Sequence, residues 1–95
     1  MKVNEIEQNS KVVNLIVSIE SLEEAKESNS GIAFQEGIVS DETGQVKISL
    51  WADQVGKFRV GDKISINAGW AKTFKDELQV SSGKFGKIVI IPKGV

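Results

Sequence analysis

Residues 45–51 read QVKISLW, a strict alternation with Val46, Ile48 and Leu50 on one side and Lys47, Ser49 and Trp51 on the other. Side chains of a strand point alternately to its two faces, so this pattern predicts a half-buried strand whose polar face carries a tryptophan. The segment KVVNLIVSIESL (11–22) predicts a long first strand, with Val13, Leu15, Val17 and Ile19 on one face and Val12, Asn14, Ile16 and Ser18 on the other. IAFQEGIVSD (32–41) predicts a second, and Gly37 inside it marks a bulge or tight bend. DETG (41–44) is a reverse turn leading into 45–51.

Beyond Trp51, the connector 52–62 offers Val55, Phe58 and Val60 to plug an open end, then turns at Gly61-Asp62. KISINAGW (63–70) predicts a fourth strand with Ile64, Ile66 and Ala68 inward; AKTFKDE (71–77) reads as a polar hairpin loop. LQVSSG (78–83) predicts a fifth strand with Leu78 and Val80 inward, and KFGKIVIIP (84–92) closes the domain, with Phe85 capping the interior. Residues 2–9 make a helical turn or an extended arm, and the polar run 23–31 reads as a loop. Five or six short strands at regular spacing, with no convincing long helix, predict an all-β fold. A closed or nearly closed small barrel suits the length better than a two-sheet sandwich.

Ninety-five residues make one domain with one small core. A hydrophobic share of 40% and a charged share of 26% are those of an ordinary globular chain, and no apolar run approaches the roughly 20 residues of a membrane span. The start, MKVNEIEQ, is no secretory signal, so the chain is expected to be cytoplasmic. Cysteine, histidine and tyrosine are all absent. That removes thiolate and imidazole metal sites and the usual nucleophile–base pairs, so no cofactor is expected. Carboxylate chemistry on a divalent metal remains, through Asp41, Glu42 and Asp53 or through Asp76-Glu77; turn and loop-tip roles explain these acids better.

The net charge of −1 conceals a gradient: residues 1–45 hold three lysines against nine acids, and residues 46–95 hold nine bases against four acids. The second half therefore suits an anionic partner, unless the two halves pair in the fold. WAKTFKDE sets Trp70, Lys72, Phe74 and Lys75 within six residues. Aromatics interleaved with lysines suit a single-stranded nucleic acid, because rings stack on bases while ammonium groups track phosphates.

The stretches GIVSDETGQVKISLW, VGD and KISINAGWAKTFKDELQVSSG together resemble the OB-fold of archaeal single-stranded DNA-binding proteins. They are also similar to the DNA-binding OB domains of archaeal replication protein A, the likeness running from about Val12 to Gly83. The resemblance implies a five-stranded Greek-key OB barrel as a single domain over residues 1–95, standing alone or as one domain of a larger multi-OB protein. It implies single-stranded DNA as ligand, RNA being a second candidate, with other OB domains or replication and repair proteins as further partners. In that family three aromatics stack on successive bases; by position they fall on Trp51, Trp70 and Phe74, with Lys47, Lys72 and Lys75 as phosphate contacts. The segment EEAKESNSGIAFQE is net acidic where relatives often carry basic residues, and there Phe34 is expected to add stacking instead. The rival expectation is an OB barrel whose groove takes a peptide or another subunit.

Overall fold

The computed structural model describes residues 1–83 and 86–92, and in it the alternating segments become seven strands of one sheet. They are β1 (Ser10–Leu22), β2 (Lys26–Glu27), β3 (Ala33–Asp41), β4 (Gly44–Trp51), β5 (Lys63–Phe74), β6 (Glu77–Ser81) and β7 (Lys87–Ile91). Pairing runs β1-β3-β4-β6-β5, and β5 returns to β1, so five strands close a barrel. Every contact around it is antiparallel except β4 with β6, where Lys47 faces Gln79 and Ile48 faces Val80. Two single-turn 3-10 segments, Val3–Glu5 and Ala52–Gln54, complete the described elements.

The core is what the alternation dictates: Leu15, Val17, Ile19, Val39, Val46, Ile48, Leu50, Ile64, Ile66 and Val80, plugged by Phe58. Ile48, Leu50, Ile64 and Ile66 are essentially inaccessible, and each contributes on the order of 1.5–3 kcal/mol by leaving water. In the connector, Phe58 is buried as expected, whereas Val60 is 60% exposed because the chain leaves the barrel mouth there to turn at Gly61.

The sheet departs from simple alternation at two barrel corners. Beside Gly37, which pairs with Leu22, β1 carries an extra residue: Ile19 pairs with Val39, but Ser21 pairs with Ile38. A Cβ on Gly37 would lie 2.5 Å from the Ser21 carbonyl oxygen, so only glycine allows this approach. The second corner lies where β1 crosses β5. Val12 and Leu15 are both buried, while Val13 and Asn14 between them face solvent. Opposite them Ala68 takes a left-handed φ of 54° and is exposed, with Ile66 and Gly69 buried on either side. Both strands thus change parity at one level. This corrects the expectation that Val13 and Ala68 point inward: strands in a small closed barrel must bend, and the bend flips every later side chain.

Two connections also differ from expectation. Lys26 and Glu27 leave the supposed loop to pair with Phe34 and Ala33. The supposed hairpin loop 71–77 is mostly strand, with Thr73 facing Leu78 and Phe74 facing Glu77. Only Lys75 and Asp76 turn, at φ of 52° and 65°, the positive pair of a type I′ turn that matches sheet twist. Neither is a residue that favours φ > 0 as glycine does. Asp76→Gly is therefore expected to stabilise the domain by about 0.5 kcal/mol, seen as a rise of roughly 2–4 °C in a thermal melt. The expected capping residue Phe85 lies outside the described residues.

Candidate nucleic-acid interface

Four strands present one face to a groove of about 490 Å³. Its lining includes Phe34 and Glu36 from β3, Ser49 and Trp51 from β4, Lys72 and Phe74 from β5, and Gln79 and Ser81 from β6. On β4 this is the polar face of the alternation, opposite the buried Val46, Ile48 and Leu50. On β5 it exists because of Ala68: continued alternation from Ile64 and Ile66 would turn Trp70 inward, and the parity change turns it out while burying Ala71.

The three aromatics named from sequence are exposed although large and apolar: Trp51 by 42%, Trp70 by 44% and Phe74 by 53%. Phe34 pairs directly with Trp51 across β3 and β4, and their rings stack with centroids 5.2 Å apart and planes 28° apart. Phe34 thus backs Trp51 and leaves the other indole face open. Gln54 fixes the end of β4: its side-chain oxygen accepts from the Trp51 backbone N–H at 3.1 Å, and its amide donates to Ser82 Oγ at 2.8 Å. On the hairpin tip, Lys75 Nζ sits 5.5 Å from the centre of the Phe74 ring, a cation–π contact.

The three lysines named from sequence differ in their surroundings. Lys72 lines the groove and Lys75 stands at its rim. Lys47 is bonded to Glu77 at 2.6 Å. That bond, helped by the charges of Glu77, Glu36 and Glu23, holds the Lys47 ammonium above its ordinary pKa. Glu77 partly neutralises the groove at this end.

Three of the carboxylates weighed as a metal site, Asp41, Glu42 and Glu77, have other employment. Asp41 accepts the backbone N–H groups of Val3 (2.9 Å) and Thr43 (2.7 Å), which pins the N-terminal turn over the end of β3. Its pKa lies below the ordinary value: burial alone would raise it, and hydrogen bonds from Thr43, Val3 and Gly44 together outweigh that. Glu42 pairs with Lys2 and Glu77 with Lys47. Among the described residues no cluster of three or more acids stands where it could hold a metal ion.

Between the aromatics lie polar residues that the sequence motifs did not single out as contacts. Glu36 faces Ser49 across β3 and β4, and Ser49 Oγ donates to the side-chain oxygen of Gln79 at 3.1 Å. Their signal was available in the parity of 78–81: with Leu78 and Val80 inward, Gln79 and Ser81 must face the groove.

Fold and groove together define an OB-type barrel with an aromatic-lined cleft across four strands. The profile of the family described as single-stranded DNA binding protein Ssb-like, OB fold, matches residues 3–90, and the chain belongs to that family. The single-stranded DNA binding protein Ssb of Saccharolobus solfataricus is 33% identical to it over 90 residues, which are 92% of this chain. The chain spans 61% of that relative's length. A crystallised domain of replication protein A from Methanococcus maripaludis superposes with a TM-score of 0.81 at 21% identity, covering 100% of this chain and 98% of that one. The OB domain of a Thermoplasma acidophilum protein superposes equally well, at 0.81 and 20% identity, over 100% of this chain and 89% of its own. At such identities the superpositions speak for the fold.

Proposed function

We propose that this chain binds single-stranded DNA without catalysis and with little sequence preference, stacking successive bases on Trp51, Trp70 and Phe74. The observation that carries this reading is the exposure of all three rings: Trp51 and Phe74 line the groove, and Trp70 shares the exposed face of β5 with Lys72 and Phe74. Every base has a flat face, so stacking tolerates any sequence, and each stacked base contributes on the order of 1–3 kcal/mol. Ordering a flexible strand offsets part of this, which places a single domain in roughly the micromolar range. Lys72 and Lys75 meet phosphates directly, and Lys47 does so by exchanging Glu77 for the strand. A duplex hides the base faces and binds far more weakly. Single-stranded RNA offers the same faces and is the second ligand of this reading. The kinship to the Ssb-like family supports a place in replication, repair or recombination, alongside other OB domains or proteins.

The test is a titration of intrinsic tryptophan fluorescence with short single strands at several salt concentrations. Saturable quenching is expected, absent with duplex, with a slope of log affinity against log salt near −2 for about three phosphate contacts. A folded protein whose fluorescence and mobility ignore single strands would overturn the proposal.

A further inference from the structure

One feature of the groove is foreign to a site for phosphate. Glu36 lines it between the aromatics, partly buried, and belongs to neither of the ion pairs found among the described residues. A carboxylate in the floor of an anion-binding cleft repels any phosphate that approaches. It is tolerated where the bound strand turns its bases to the floor and its phosphates to solvent, and there it meets base edges. We infer that Glu36 reads those edges and biases the groove toward bases with an exocyclic amino group, cytosine, adenine and guanine, against thymine and uracil. This rests on the single-strand reading above and deepens it.

An ionised carboxylate only accepts hydrogen bonds. The cytosine N4 amino group, the adenine N6 amino group and the guanine N1–H/N2 amino edge all offer donors to it. Thymine offers a single N3–H flanked by two carbonyl oxygens, so one carboxylate oxygen is driven against a like partial charge. Glutamate accepting from cytosine N4 is an established pairing on base edges. Gln79 supplies the complement. Its side-chain oxygen is occupied by the Ser49 hydroxyl, which leaves its amino group as a donor for a ring nitrogen or carbonyl of the same base. Glu36 faces Ser49 on β4, and Ser49 in turn holds Gln79 on β6, so acceptor and donor flank β4 on one surface. This readout is superimposed on base-tolerant stacking and is modest because the groove is open to water.

The experiment compares short oligo-dC and oligo-dT with the wild-type chain, Glu36→Gln and Glu36→Ala, at one fixed pH and salt concentration. Both ligands are pyrimidines of similar stacking area, but they differ in intrinsic flexibility, so the readout is the change in the dC:dT affinity ratio on substitution. Glutamine donates as well as accepts and therefore serves thymine too. The ratio is expected to shift toward dT by about five-fold or more in both variants, with dT binding itself strengthened as the negative charge leaves. A ratio unchanged in both folded variants, with both ligands still bound, overturns this inference and leaves the single-strand reading standing. A folded wild-type chain that binds neither ligand overturns the reading on which it rests. A uniform loss for both ligands assigns Glu36 a purely structural part and likewise overturns the inference.

Discussion

Replacing Trp51 with alanine is expected to weaken single-strand binding by about 10- to 100-fold, with the folded state intact. The side chain is 42% exposed and stands on the face of β4 opposite the core, so its removal opens no cavity among Val46, Ile48 and Leu50. What is lost is a stacking platform, on the order of 1–3 kcal/mol for the base that used it. Phe34 loses its partner at the same time; the pair stacks at 5.2 Å, and such a pair holds its rings in place with about 0.5–1.5 kcal/mol. Trp51→Ala should therefore cost more than Trp70→Ala, which removes a ring with no aromatic partner recorded among the described residues. Each variant keeps the other tryptophan as its own fluorescent reporter, so one titration measures both. Trp51→Phe should restore much of the affinity, because the platform needs a flat apolar face and not an indole N–H. An alanine variant with wild-type affinity would place the bases elsewhere.

Gly69→Ala is expected to destabilise the domain by about 3 kcal/mol, a fall of roughly 10–20 °C in melting temperature for a chain of this size. A Cβ built there lies 2.5 Å from the Ser81 carbonyl oxygen and 2.7 Å from Ile66 Cγ2. The first is backbone of β6 and the second belongs to a fully buried core residue, so neither can move aside cheaply. Either β6 separates from β5 at Trp70 and Ser81, or Ile66 leaves its place in the core. Both routes also disturb Trp70, the next residue. The variant should therefore lose affinity along with stability, whereas Trp70→Ala loses affinity alone. Circular dichroism melts of the two variants, beside the titration, separate these effects; a Gly69→Ala melt within a degree or two of wild type would show that the corner yields easily.

Much of this molecule is legible from the chain. The alternation of 45–51 names the core residues of β4 and, by the same count, puts Lys47, Ser49 and Trp51 on the opposite face. Gly37 announces an irregularity, and the structure places it in the facing strand, where β1 carries one residue too many. The misreadings have two causes. Lys26-Glu27 and residues 71–74 look like loop because lysines and turn-forming residues surround them, yet they pair as strands, since a hydrogen-bonded ladder asks only for a partner at the right distance. Counting in twos puts Val13 and Ala68 inward, and that count holds only while a strand stays straight.

Sequence alone determined the all-β class, most of the core and the chemical character of the groove: aromatics and lysines on strands whose other face is apolar. These depend on local periodicity and side-chain type, which are properties of the chain. Tertiary structure decided three things. It turned Trp70 outward, because closing five strands into a barrel bends β5 at Ala68 and exchanges inside for outside beyond it. It stacked Phe34 on Trp51 through a register between β3 and β4. It bound Lys47 to Glu77, thirty residues away, across the parallel seam of β4 and β6. Each arises from barrel closure, which brings together residues far apart in sequence and fixes their faces by geometry that no local pattern contains.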